Sequence, residues 1–162
     1  MMNLERYNRQ IILPDFGISS QEKLLNSSVL VVGSGGLGCP ALQILVSSGI
    51  GKIGIVDFDV VEIQNLHRQF LFDEKDIGFP KVIVAEKHLK NRNSETEIEI
   101  FNEKITTKNV IHLIENYDVI ADCTDNFATR YLLNDACYLM KKPLVYASLF
   151  RDEGQVSVFN VE

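Results

Sequence analysis

The sequence has no tryptophan, only four prolines and only three cysteines in 162 residues. Cys39, Cys123 and Cys137 are scattered, and no C-x-x-C pair occurs. They cannot make a structural zinc site by themselves, and an odd, unpaired set is not a secreted disulfide framework. A reducing cytoplasm is the expected compartment. Basic residues are also scarce: 16 Lys and Arg stand against 22 Asp and Glu, a net charge of −6. No basic stripe is visible, so nucleic acid is not an expected partner. Long apolar runs are missing. Stretches such as Val29 to Val32 fall far short of the ~20 residues of a membrane helix. The opening Met1-Met2-Asn3-Leu4-Glu5-Arg6 mixes polar and charged residues, which predicts no signal peptide. Low-complexity tracts, repeats and linkers are absent too. With 46% hydrophobic residues, the chain reads as one ordered domain over 1–162.

Hydrophobic runs alternate with helical patterns. Val29 to Val32 is a β-branched run ending at glycine, which suits a strand buried on both faces. Leu37 to Ser48 has helical spacing and is closed by Gly49 and Gly51. Ile53 to Phe58 reads as a strand, and Pro80 to Asn91 as a helix with proline in its first turn. Ile98 to Phe101, Val119 to Asp122, Leu144 to Leu149 and Gln155 to Val161 read as further strands. Thr107 to Glu115 and Asn126 to Met140 read as further helices. This alternation predicts a Rossmann-like α/β fold, a mainly parallel sheet with helices on both faces. Residues 1–26 fall outside it and read as an N-terminal helical arm, with a helix near Ser20 to Leu25 and no role in the core. The end at Asn160-Val161-Glu162, on a strand-like run, is what a fragment of a longer protein would show.

Gly33-Ser34-Gly35-Gly36-Leu37-Gly38 lies between a predicted strand and a predicted helix. Glycines there permit a tight turn and close backbone approach, and the helix start presents free N–H groups to phosphate. Asp57 follows at the distance expected of an acid that holds ribose hydroxyls. The glycines alone fit either a dinucleotide cofactor or ATP. The next segment, Asp57 to Gln69, places Asn65, Arg68 and Gln69 in a polar stretch beyond the strand end. An arginine there can grip phosphate oxygens bidentately. Lys81, after Pro80 at a helix start, is either a solvated lysine or a phosphate ligand, and the helix dipole mildly opposes a merely structural cation there. Asp125 is either the N-cap of the helix that follows or a metal ligand, and the two roles are compatible. His67, His88 and His112 read as surface or packing residues, and the cysteines as small buried side chains.

Together Gly33 to Cys39, Asp57-Phe58-Asp59, Asn65-Leu66-His67-Arg68-Gln69, Gly78-Phe79-Pro80-Lys81 and Asp122-Cys123-Thr124-Asp125-Asn126 resemble the ThiF/MoeB/HesA family, bacterial relatives of ubiquitin-activating enzymes. Arg6-Tyr7-Asn8-Arg9-Gln10 matches the family's N-terminal signature. The resemblance runs from Arg6 to about Phe159. It implies an adenylyltransferase that uses MgATP to activate the C-terminal Gly-Gly carboxylate of a ubiquitin-like sulfur-carrier protein, in molybdopterin, thiamine or related sulfur transfer. It implies that Gly33, Gly35, Gly36 and Gly38 form the phosphate loop and that Asp57, with Asp59, Gln69 and Asn126 nearby, binds the nucleotide. Asn65 and Arg68 would bind the triphosphate, Lys81 would neutralise its charge, and Asp125 would hold Mg²⁺. Arg9 would reach into the ATP site of the partner subunit in a homodimer.

The family's paired C-x-x-C zinc motifs and its sulfur-transfer cysteine do not occur in these residues, so zinc is not expected in them. Two other readings stand beside adenylation: a non-catalytic or truncated nucleotide-binding module, and an NAD-dependent oxidoreductase. Asn65 to Gln69 and Lys81 speak against the second.

Overall fold

In a computed structural model, residues 5–161 are described. Residues 1–4, which opened the stretch read as lacking a signal, and residue 162, the end of the last strand-like run, lie outside them. The arm holds two helices, α1 (Asn8–Ile11) and α2 (Gly17–Leu25). The body follows as β1 (Ser28–Val32), α3 (Gly38–Ser48), β2 (Lys52–Val56), α4 (Lys81–Arg92), β3 (Glu97–Phe101), α5 (Val110–Glu115), β4 (Val119–Asp122), α6 (Phe127–Met140), β5 (Leu144–Phe150) and β6 (Glu153–Phe159). The strands form one sheet in the order β3-β2-β1-β4-β5-β6. All pairings are parallel except β5 with β6. This is the 3-2-1-4-5-6 order of doubly wound nucleotide-binding sheets, with its topological switch between β1 and β4.

The alternation of side chains along each strand builds a core on either face. Val29, Val31, Ile53 and Ile55 pack with Leu42 and Val46 of α3 and Val82, Ala85 and Leu89 of α4. Leu30, Val32, Val56 and Ile120 face the other way, onto α5 and α6. Register then fixes the site, because Val32 pairs with both Val56 and Asp122. Gly33, Asp57 and Cys123 therefore leave the sheet side by side at its carboxyl edge. Among the described residues, no helix is long and apolar enough to cross a membrane.

Three expectations are corrected. The arm is not loose. Tyr7 and Gln21 are buried, and the Gln10 and Gln21 amides both donate to the Ser48 carbonyl, at 2.8 and 3.1 Å. The Tyr7 hydroxyl accepts from Asn93 at 3.0 Å, and Asn93 also donates to the Val46 carbonyl. The arm thus satisfies the Ser48 carbonyl and Asn93 that of Val46, at a helix end whose carbonyls must find partners. Second, α5 begins at Val110 rather than near Thr107, because Asn109 Oδ1 accepts from both the backbone and hydroxyl of Thr106 and holds those residues in a turn. Third, the N-cap of α6 is Asn126, whose side chain accepts from Thr129 N at 2.9 Å. Asp125, one residue earlier, is left out of the helix.

Candidate active site

The carboxyl edge of the sheet carries a cleft of about 420 Å³. Its floor is the glycine loop between β1 and α3. A Cβ on Gly38 would lie 1.9 Å from the Gly33 carbonyl oxygen, and one on Gly33, at φ +91°, would lie 2.8 Å from the Cys123 carbonyl oxygen. Only glycine lets the loop close this tightly beside the β4 turn. α3 starts at Gly38 without a side-chain cap. Cys39 N donates to the Gly35 carbonyl and Pro40 has no N–H, so the glycine loop ahead of the helix, at the positive end of its dipole, is what offers amides to an anion.

Asp57 ties the loop to the end of β2. Its Oδ2 accepts from the Ser34 amide and hydroxyl, both at 2.7 Å, and its Oδ1 accepts from Asp59 N at 2.9 Å. Beyond it the chain makes a long excursion before α4. Val60 bridges Pro80 there, and the Lys81 amide donates to the Asp59 carbonyl at 2.9 Å. Lys81 is not solvated. It is 4% exposed, and its Nζ meets Asp59 Oδ2 at 3.0 Å. A buried lysine needs a negative partner, and its place on the cleft wall offers that role to an anion as well. Arg68 Nη2 donates to Asn65 Oδ1 at 3.0 Å, and both side chains reach the cleft from the excursion. Gln69 is 3% exposed on the same wall, and its Oε1 has no hydrogen-bond partner among the described residues. A buried acceptor lining a cleft can accept from a polar group bound there.

The opposite wall comes from β4 and α6. Asp125 and Asn126 both line the cleft, and Asp125 is exposed, with no hydrogen bond or ion pair to any described residue. The structure therefore gathers Gly33, Gly35, Gly36, Asp57, Asp59, Asn65, Arg68, Gln69, Lys81, Asp125 and Asn126 around one cleft. Gly38 stands just beneath it. Arg9 is exposed on the arm and does not line this cleft.

Sequence reasoning missed Phe58, Lys104 and Arg130, which line the cleft as well. Lys104 Nζ lies 5.7 Å from the Phe58 ring centroid. An aromatic directly after the ribose-type acid was the available signal for Phe58, but nothing local marks the other two. The cysteines are inert in this setting. Burial pushes Cys39 up to about 11, Cys123 up to about 12 and Cys137 up to about 11, which disfavours the nucleophilic thiolate.

A family model described as the ThiF family matches residues 7–162. The chain is 52% identical over 157 residues to the adenylyltransferase and sulfurtransferase MOCS3 of Anopheles gambiae, covering 97% of this chain and 36% of that one. It is 47% identical over 157 residues to the sulfur carrier protein adenylyltransferase of Thermus thermophilus, covering 97% and 58%. This chain thus spans only part of the length of these relatives. Among solved structures, E. coli tRNA N6-threonylcarbamoyladenosine dehydratase, TcdA, in complex with ATP superimposes with a TM-score of 0.83 at 26% identity, over 87% of this chain and 58% of that one. The segments after β1, β2, β3 and β4 converge on one cleft, in agreement with a family match over nearly the whole chain, and the protein belongs to the ThiF family.

Proposed function

We propose that this chain is the adenylating domain of an enzyme that activates the C-terminal Gly-Gly carboxylate of a ubiquitin-like sulfur-carrier protein, using MgATP. The observation that carries this reading is the buried Lys81 lining one cleft together with the glycine loop and Arg68. Two cations at the anion end of a helix suit a triphosphate better than the short pyrophosphate of a dinucleotide. The Thermus relative's name and the ATP-bound state of the TcdA neighbour agree with it.

In this mechanism a carboxylate oxygen of the carrier attacks the α-phosphorus, the bond to the bridging oxygen breaks, and pyrophosphate leaves with the electron pair. The carboxylate is ionised at neutral pH, so no general base is needed. The chain's own work is positioning and charge stabilisation. Gly35 and Gly36 of the loop ahead of α3 receive phosphate oxygens, and Asp57 holds the ribose while fixing Ser34 of the loop. Asn65 aligns Arg68, and Arg68 and Lys81 meet the charge that builds on the leaving pyrophosphate. Gln69 Oε1 is an acceptor placed for the bound nucleotide. Asp125, a cleft carboxylate with no hydrogen bond or ion pair to any described residue, would hold Mg²⁺, which would neutralise phosphate charge.

Arg9 belongs to a second copy's site in this reading. α1 is fastened to the C-terminal end of α3, whereas the cleft lies at the N-terminal end. An 11-residue helix separates the two by about 16 Å, so the arm is held away from its own cleft. A two-fold homodimer would make the contact reciprocal.

Pyrophosphate exchange with MgATP and a Gly-Gly-ended carrier tests the activity. Calorimetry should show MgATP binding in the wild type and a clear loss in Asp57→Ala; equal affinity would sink the site assignment. Mixing Arg9→Ala with Arg68→Ala protein, each inactive alone, should restore part of the activity through mixed dimers. A mixture that stays dead despite proven subunit exchange removes the shared site.

A further inference from the structure

Arg130 stands near the start of α6, where helical side chains lean back toward their own N-terminus. Its Nε and Nη2 both donate to the Thr124 carbonyl, at 3.2 and 2.7 Å, and its Nη1 donates to the Tyr146 hydroxyl at 3.2 Å. The guanidinium lies 5.8 Å from the Phe127 ring centroid and 5.3 Å from that of Tyr146. The Tyr146 hydroxyl donates in turn to Ser148 Oγ at 2.9 Å. The same turn is gripped from the sheet side. Asp122 Oδ1 accepts from the Thr124 amide and hydroxyl, at 2.9 and 2.7 Å. Asp122 is 1% exposed, and its Oδ2 has no partner among the described residues. Burial pushes its pKa up, against the Thr124 hydrogen bonds and the nearby Arg130 charge.

Asp125 follows directly. The Thr124 carbonyl and the Asp125 nitrogen share one rigid peptide plane. A fork of two N–H groups on that oxygen fixes the plane's rotation and so the direction in which the Asp125 side chain leaves the backbone. A solvated arginine would leave its donors to water, whereas this one commits three of its five nitrogen-bound hydrogens to two acceptors.

We propose that Arg130 is a positioning residue for Asp125, holding the Thr124–Asp125 peptide so that the carboxylate faces the phosphate end of the cleft. This rests on the reading of Asp125 as the carboxylate that receives the magnesium of MgATP. Arg130 lines the cleft but acts through the turn, its donors going to the Thr124 carbonyl and the Tyr146 hydroxyl.

The test compares Arg130→Met, Arg130→Lys and Tyr146→Phe with wild type by two readouts. The first is NMR amide exchange at Thr124 in the free protein, which needs no activity. Arg130→Met should speed it by about tenfold, the factor expected from losing one charge-assisted hydrogen bond. The second is pyrophosphate exchange titrated with Mg²⁺. Arg130→Met should raise the half-saturating Mg²⁺ concentration and lower the maximal rate by on the order of 10²-fold, the scale for a small misplacement, while metal-free ATP binding is unchanged. Lysine should restore part of both readouts, since it keeps the charge but lacks the fork. Tyr146→Phe should show a smaller loss. A folded Arg130→Met protein with unchanged Thr124 exchange overturns the proposal, as does a rate loss with no change in Mg²⁺ dependence. If Arg130→Met does not fold, the other two variants decide, and wild-type values in both overturn it. A wild type without exchange activity defeats the adenylation reading alone, because amide exchange still decides the clamp.

Discussion

Two segments form the walls of the cleft, and they are built on opposite plans. The segment 57–80 after β2 is long and knits itself together. Val61 N donates to the Phe79 carbonyl and Gly78 N to the Val61 carbonyl, both at 2.9 Å. Asp73 and Asp76 form a reciprocal capping box, Val61, Leu71 and Phe72 are buried, and His88 Nδ1–H donates to the Leu71 carbonyl at 2.7 Å. The segment 123–126 after β4 is a bare turn without a core of its own, and Asp122 and Arg130 grip it from outside. A segment joined by its own backbone bonds and rooted in the core under α3 and α4 through Val61, Leu71 and Phe72 can lose one contact and keep its shape. A turn whose side-chain grips all meet at Thr124 moves as a unit. The first plan suits a wall that presents several separate ligands, and the second suits one that must aim a single carboxylate.

Lys81, anchored at the end of the long segment, gives the largest expected effect. Lys81→Met should reduce pyrophosphate exchange by about 10²- to 10³-fold, the scale for removing one electrostatic stabiliser, and Arg68→Ala should fall in the same range. The fold should survive Lys81→Met, because the Asp59 side chain left behind is 50% exposed and can turn to water. ATP affinity should change less than the rate. Equal losses in both would mean that the cations bind ground state and transition state alike.

Knitting predicts a far milder response when the segment loses a contact from α4. His88→Ala removes the hydrogen bond to Leu71, worth about 1 kcal/mol, and the 3.6 Å approach of its Nε2 to Asp76 Oδ2, and leaves the bridge, the Asp73–Asp76 hydrogen bonds and the buried apolar residues in place. Exchange should fall by less than about tenfold, the rate equivalent of 1.4 kcal/mol. His88→Asn, with an amide donor for Leu71, should recover part of the loss in a thermal melt. If His88→Ala were as damaging as Lys81→Met, the long segment would not be modular and the contrast between the walls would fail.

How much of this could be read in the sequence follows the range of each interaction. The glycine loop, Asp57 and the strand and helix succession are local signals, and the structure places all of them at one edge of one sheet. The arm's docking was not legible, because Tyr7 meets Asn93 across 86 positions and no local pattern announces the pairing. Lys81 read equally well as a solvated residue, since the partner that buries it, Asp59, lies 22 positions away. The cap of α6, expected at Asp125 with Asn126 inside the helix, was one residue off for the opposite reason. Asp125 and Asn126 are adjacent and equally good caps, and only the backbone path, extended at Asn126, chooses between them. Arg130 follows the same logic, because a helix arginine shows its acceptor only once the preceding turn is in place.

The smallest effect, with no change in activity required, separates the two walls most sharply. Cys39 is fully buried, and its thiol donates to the Ser34 carbonyl at 3.1 Å. Burial pushes its pKa up to about 11, against a hydrogen bond with the backbone of Leu71, so it borders the long segment. Cys123 begins the short turn, and burial pushes it up to about 12. A raised thiol pKa keeps the neutral form, so thiolate appears only as pH climbs toward these values. At pH 8 the thiolate fractions are on the order of 10⁻³ and 10⁻⁴, and iodoacetamide should leave both residues unmodified in the native wild type. His88→Ala, which frees the Leu71 carbonyl, should speed labelling of Cys39 and not of Cys123. Arg130→Met, which frees the Thr124 carbonyl, should do the reverse. Cys137, on the buried face of α6 and also pushed up to about 11, serves as the reference that labels only on global unfolding. Peptide mapping by mass spectrometry after a timed pulse reads all three together. Equal labelling of Cys39 and Cys123 in both variants would mean that the walls open as one cooperative unit, and the distinction between a self-knitted wall and an externally held one would then have no energetic content.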